Sequence, residues 1–251
     1  MTSLGDADRF VWGATSHAVA LLVLAAVAVA LVACGRALRG TQTQLWVSRS
    51  FALAILLGQG PMQLQTMLPQ NWSLEYSLPL QLCDLAWMIA VFALWTHRPW
   101  ATGLLYYWGL TLTIQGLITP HLDFDYPSFE YFMFFYGHGA VVIAAIYLTW
   151  GVGLRPDWNS LRRTFAATLA WGTSVFAFNC LAGTNYGYLN HKPPMASALD
   201  FLGPYPFYLA SELTLAAVIW SLMTLAWTHD DGSADSQDGL TTSLGQWDAA
   251  G

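Results

Sequence analysis

The chain has 251 residues, of which 55% are hydrophobic and only 10% charged, against a soluble average of about 25% charged. The formal net charge of −6 comes largely from the last stretch, where Asp230, Asp231, Asp235, Asp238 and Asp248 lie. With nine Lys and Arg and no basic patch, nucleic acid is excluded as a partner, and three cysteines make no disulfide framework.

Apolar runs of about 20 residues are the length of membrane-spanning helices, and seven occur in order. They run from about Ser16 to Leu38, Gln44 to Met67, Ser77 to Thr96, Trp100 to Thr119, Glu130 to Trp150, Leu161 to Leu181 and Tyr205 to Thr228. The second contains Pro61, which predicts a kink. The expected fold is therefore all-α: a single seven-helix transmembrane domain over residues 1–228. Residues 229–251 are acidic, small and polar, and are expected to form a disordered tail. The loops after helices one, three and five carry Arg36, Arg39, Arg98, Arg155, Arg162 and Arg163. The opposite loops and the N-terminal segment carry only Arg9 and Lys192. The positive-inside rule then puts the N-terminus outside and the tail in the cytoplasm, in a multi-pass protein of the cell membrane.

Polar residues inside apolar segments are costly and mark either helix pairing or function. Placed along their helices at 1.5 Å per residue, Cys83 lies roughly 9 Å from the outer end, Glu212 roughly 10 Å and His138 roughly 12 Å. Gln81, Asp84, Gln115 and Asn179 fall at the same end, although their helices run in both directions. The inner half holds little beyond Thr and Ser, apart from Arg49 near its edge. One polar pocket in the outer half follows. The loop from Ala182 to Pro206, rich in Gly, Asn and Pro, is placed to cover it, and its Asn185, Tyr186 and Lys192 are candidate lining groups.

Cys83 and His138 at matched depth form a candidate thiol–imidazole pair. Glu212 or Asp84 would orient the imidazole, and the amides of Gln115 and Asn179 would donate to an oxyanion. Such a site suits acyl transfer or hydrolysis on a lipid ester, with membrane lipids as the partners. Each residue also has a plain alternative: Cys83 as a small packing residue, the amides as interhelical links, and a disulfide between Cys83 and Cys180. The same pocket without covalent chemistry describes a small-molecule transporter or binding protein. No cofactor is indicated. His121, Asp123 and Asp125 are too close in sequence to define a metal site. The absence of lysine from Tyr205 to Thr228 argues against a retinal Schiff base.

Several stretches resemble the YwaF-like family of bacterial integral membrane proteins: Leu78-Pro79-Leu80-Gln81-Leu82-Cys83-Asp84, Tyr107-Trp108-Gly109-Leu110, Gln115-Gly116 and Thr119-Pro120. Phe134-Phe135-Tyr136-Gly137-His138-Gly139, Gly183-Thr184-Asn185-Tyr186, Lys192-Pro193, Leu199-Asp200 and Gly203-Pro204 continue the likeness over roughly residues 45–225. That family is distantly similar to a vertebrate transmembrane acyltransferase that remodels ether phospholipids with a membrane cysteine and histidine. The resemblance implies those roles for Cys83 and His138. It also implies a histidine where this chain has Gln81, so the site here departs from the family pattern.

Overall fold

The computed structural model describes residues 9–120, 122–193 and 198–247, with backbone alone at 198 and 229–247. Among these the regular structure is helical, and the one extended pairing is an isolated bridge between Arg9 and Phe124. The helices are α1 (Thr15–Ala37), α2 (Gln42–Thr66), α3 (Leu82–Thr96), α4 (Pro99–Tyr107), α5 (Ile114–Ile118), α6 (Phe129–Ile146), α7 (Trp158–Ala182) and α8 (Phe207–Trp247). A π-helical segment, Trp108–Thr113, joins α4 to α5, and a second, Tyr147–Val152, extends α6.

Four stretches are long and apolar enough to cross a membrane: Thr15–Ala37, Phe129–Val152, Trp158–Ala182 and Phe207–Thr228. In Phe129–Val152, 67% of the most apolar window is buried, against 11% in each of the others. That contrast makes α6 the central helix and leaves α1, α7 and α8 with apolar faces turned outward. Leu22 and Val29 of α1 and Val218 and Leu222 of the last helix are exposed accordingly. Such surfaces suit lipid and not water.

Local sequence chemistry sets the helix ends. Thr41 caps α2 by accepting from Gln44 N at 3.3 Å, and α2 runs unbroken through Pro61. Ser128 caps α6, accepting from Tyr131 N at 3.1 Å. Pro99 occupies the start of α4, where its missing N–H costs nothing. The third helix begins at Leu82 and not at Ser77, as its hydropathy predicts. Proline at 79 disfavours helix before it, and Asp84 instead accepts from Gln81 N at 3.1 Å to start the helix there. The backbone of α8 stays helical to Trp247, past the apolar stretch that ends at Thr228. Residues 248–251 of the expected tail lie outside the described residues, as does His121.

Arginines close the end of the bundle opposite the start of α3. There α1 and α6 approach so closely that a Cβ on Gly35 would stand 3.0 Å from Gly151 Cα. Beside this crossing Arg36 Nε donates to Trp150 O at 3.0 Å, and Arg39 Nη2 donates to Gly151 O at 2.8 Å. These are the terminal carbonyls of the α6 helix, where positive charge is favourable.

Asp157 caps α7 on the same side, accepting from Ser160 N at 2.7 Å and Ser160 Oγ at 2.6 Å. Those bonds, the Ser160 hydroxyl foremost, hold its carboxyl below the ordinary carboxylate range. A depressed carboxyl stabilises the fold above its ordinary pKa and loses that contribution as pH falls through the lowered value. Asp157→Ala is expected to cost about 1 kcal/mol. Thermal unfolding in detergent should show a lower midpoint for the variant at neutral pH, with the two proteins converging in acid.

Candidate functional site

A cavity of about 960 Å³ lies at the end of the bundle where α3 begins. Its wall takes Gln81, Cys83, Gln115, His138 and Glu212 from four different helical regions. The polar groups sit in a mostly apolar lining that includes Leu112, Leu169, Phe176, Leu213 and Trp220. Its roof is the loop before α8, through Gly187, Tyr188, Leu189, Pro193, Leu199 and Phe201. Several of the lining residues, Phe176, Leu213 and Phe201 among them, are also exposed on the outer surface.

Cys83 is the second residue of α3, and its exposed thiol faces this cavity. All three cysteines are free, and Cys180 instead accepts from Asn190 Nδ2 at 3.4 Å. His138 sits one helix away on α6. Its Nδ1 lies 3.1 Å from the carbonyl oxygen of Phe134, and its ring stacks on the Phe134 ring with centroids 4.2 Å apart. A backbone carbonyl has no proton to give, so Nδ1 carries the hydrogen and Nε2 is left as the base. That edge rests against Gly116, where a Cβ would stand 2.8 Å from Cδ2 and 3.2 Å from Nε2. The ring is thus fixed on three sides, and among the described residues no hydrogen bond reaches its acceptor nitrogen.

The two glycines beside His138 pack helices. A Cβ on Gly137 would meet the Gln59 amide at 2.7 Å, and one on Gly139 would meet Leu24 at 2.4 Å. They seat α6 against α2 and α1 and so set the depth and direction of the imidazole. The π-helical segment before α5 does the same for the opposite wall, which brings Thr113, Gln115 and Gly116 to the cavity. Glu212 is half-buried on the wall, and among the described residues no hydrogen bond reaches it.

No hydrogen bond joins Cys83 to His138 among the described residues, although both line the cavity. Asp84 is turned to the backbone at the start of α3. Asn179 is buried at the end of α7, away from the cavity lining. It accepts from Tyr186 N at 2.9 Å and Thr184 Oγ1 at 2.8 Å, and donates to Tyr186 O at 2.9 Å. Tyr186 in turn donates to Leu74 O at 2.9 Å and accepts from Leu78 N at 3.1 Å. Burial pushes its phenol above the ordinary range. Asn185 holds the loop turn by donating to His191 O at 2.8 Å. Lys192 pairs with Asp200 at 3.5 Å and lies over the Tyr208 ring. These four residues organise the roof, and Gln81 Oε1 ties it to α3 by accepting from Gly187 N at 2.8 Å.

Trp171 is a lining residue that hydropathy does not single out. It donates from Nε1 to Leu80 O at 3.0 Å and packs under Gly187, whose φ of 66° and lack of Cβ admit it. It also borders a second, smaller groove of about 580 Å³ between α3, α4 and α7, lined by Leu85, Ile89, Trp100, Leu104 and Arg163. No group of His, Cys, Asp or Glu able to hold a metal occurs among the described residues.

Residues 11–224 match the family model of the TMEM164 family. No curated protein and no solved structure matches the chain.

Proposed function

Starting from the premise that the chain belongs to the TMEM164 family of membrane proteins, we propose that it is a lipid acyltransferase or acyl hydrolase with Cys83 as nucleophile and His138 as base. One observation carries the reading: a free thiol and an imidazole whose acceptor nitrogen no hydrogen bond reaches among the described residues open onto the same large, mostly apolar cavity. The likeness to YwaF-like proteins, and through them to an acyltransferase of ether phospholipids, belongs to this proposal. So do the seven-span count and the orientation with the N-terminus outside. The arginines at the end opposite the cavity support that orientation.

In the reaction a lipid ester enters the cavity with its acyl chain against the apolar wall. The Cys83 thiol proton passes to His138 Nε2, through a water where the two do not touch. The sulfur attacks the ester carbonyl carbon, and the developing oxyanion takes a hydrogen bond from the Gln115 amide. The carbon–oxygen bond to the lysolipid then breaks, and that oxygen takes the proton back from the imidazolium. The acyl group, now a thioester on Cys83, passes to a second lysolipid hydroxyl or to water by the reverse sequence. The Phe134 carbonyl fills the orienting role that an acid fills in other triads. Glu212 is left as the charged group against which a lipid headgroup is placed.

The test uses the purified protein in nanodiscs and an acyl thioester probe with a lipid-like chain. Mass spectrometry is expected to find the acyl adduct on Cys83 in preference to Cys34 and Cys180. No adduct on Cys83, with the probe reaching the cavity, sinks the covalent reading and moves a non-covalent carrier or binding protein to the front.

A further inference from the structure

At the end of the bundle away from the cavity, Arg49 Nε on α2 and His97 Nε2 at the close of α3 are buried with no hydrogen-bond partner among the described residues, as is Thr149 Oγ1 on the neighbouring π-helical segment. A buried donor left unpaired is costly, more so when charged, so such atoms are rarely left alone. Here Arg49 and His97 are neighbours. The guanidinium of Arg49 lies 5.5 Å from the centre of the Trp95 ring, two residues before His97. Burial first, and Arg49 second, hold His97 below the usual imidazole range. It is therefore neutral at pH 7 with one N–H to give. No carboxylate answers them: residues 9–74 and 85–122 contain no acidic residue at all.

The surroundings suit a membrane boundary. Trp95, two residues before His97, and Trp46, three before Arg49, are both exposed, as indoles are at the headgroup level. Arg98 follows His97 on the short turn into α4 and is exposed as well. His97 takes a left-handed backbone, φ 53°, which turns the chain back before α3 has matched the length of α2.

We propose that Arg49 and His97 bind the phosphate of an anionic phospholipid from the leaflet at this end, the cytoplasmic one in the orientation proposed above. One phosphate oxygen accepts from Arg49 Nε–H and His97 Nε2–H together, which satisfies both buried atoms. The acyl chains lie along the bundle, and Trp46 and Trp95 flank the headgroup. Charge-assisted bonds of this kind are about twice as strong as neutral ones, and a single anion relieves two unpaired donors at once. The site is separate from Cys83 and takes no part in its chemistry.

The experiment compares lipid retention by the full chain in nanodiscs of phosphatidylcholine with added phosphatidylglycerol, read by native mass spectrometry after detergent exchange. Wild type is expected to retain one phosphatidylglycerol in preference to phosphatidylcholine. Arg49→Gln and His97→Gln are each expected to weaken that preference roughly tenfold, the scale of one lost charge-assisted bond. Arg98→Gln removes the same charge as Arg49→Gln, on the adjoining turn and without touching either unpaired atom, and it is expected to leave the preference intact. Should Arg49→Gln fail to fold, His97→Gln carries the comparison. Equal retention by wild type and His97→Gln overturns the site. Equal loss in all three variants marks an effect not specific to the two unpaired atoms and overturns it too. Stabilisation by inorganic phosphate in detergent, without any lipid preference, overturns the lipid source.

Discussion

His138→Gln is expected to slow acylation of Cys83 by roughly 10³-fold, the scale on which removal of a catalytic base acts. The glutamine keeps the volume and one hydrogen bond to the Phe134 carbonyl, so the helix and the cavity wall remain. What goes is the acceptor nitrogen. Without it the thiol reacts only through the thiolate that solvent produces, so the residual rate should rise about tenfold per pH unit until the thiol ionises. Cys83→Ala should abolish the adduct. Gln115→Leu should leave probe binding in place and lower the acylation rate by about 10²-fold, the cost of one oxyanion donor. A stopped-flow or quenched time course of probe incorporation at several pH values separates these outcomes. An unchanged rate in His138→Gln would mean that the imidazole plays no part in the chemistry.

Asn179→Ala is expected to be the most damaging single change to the roof of the cavity. One buried side chain makes three hydrogen bonds there, two of them to the main chain of Tyr186. Truncation leaves the N–H and C=O of Tyr186 and the Thr184 hydroxyl unpaired in a buried setting. The expected cost is about 2–4 kcal/mol, read as a fall of several degrees in the unfolding midpoint. Asn179→Asp keeps the two acceptor bonds and should recover part of the loss. Because Tyr186 also reaches Leu74 and Leu78, the loss extends to the segment that leads into α3. The acyl probe should then label Cys83 more slowly in Asn179→Ala, through a disordered roof and not through lost chemistry. A stable Asn179→Ala protein with a normal midpoint would show that the loop is held by something else.

These residues also mark what can be read from sequence and what cannot. Position along a helix is legible: Cys83, Gln115, His138 and Glu212 were placed at one end by counting residues, and one cavity collects them. Direction around a helix is much less so. In segments that are apolar on every side, a polar residue at the right depth can face the cavity, the backbone or a loop. Asn179 and Asp84 have the depth of lining groups and spend their polar atoms on the main chain. Lys192 has the charge for a headgroup and spends it on Asp200. The start of α3 was drawn early because hydropathy follows apolar side chains, whereas Pro79 and the Gln81–Asp84 cap decide where helical hydrogen bonds begin. Trp171 and Gly116 had no sequence signal as wall residues, because their part depends on the loop and the imidazole that come to rest on them.

The π-helical segment at 108–113 decides how the cavity wall responds to a change in chain length. A π turn is an α-helix that has taken in one extra residue as a local bulge, so deleting a single residue there restores the ordinary ladder and leaves the flanking turns close to their original directions. The same deletion within the ordinary helix Pro99–Tyr107 would rotate everything after it by about 100° and swing Gln115 and Gly116 off the cavity wall. A one-residue gap between Trp108 and Thr113 in a related chain therefore signals a re-lined pocket, where the same gap before Trp108 signals a re-aimed one.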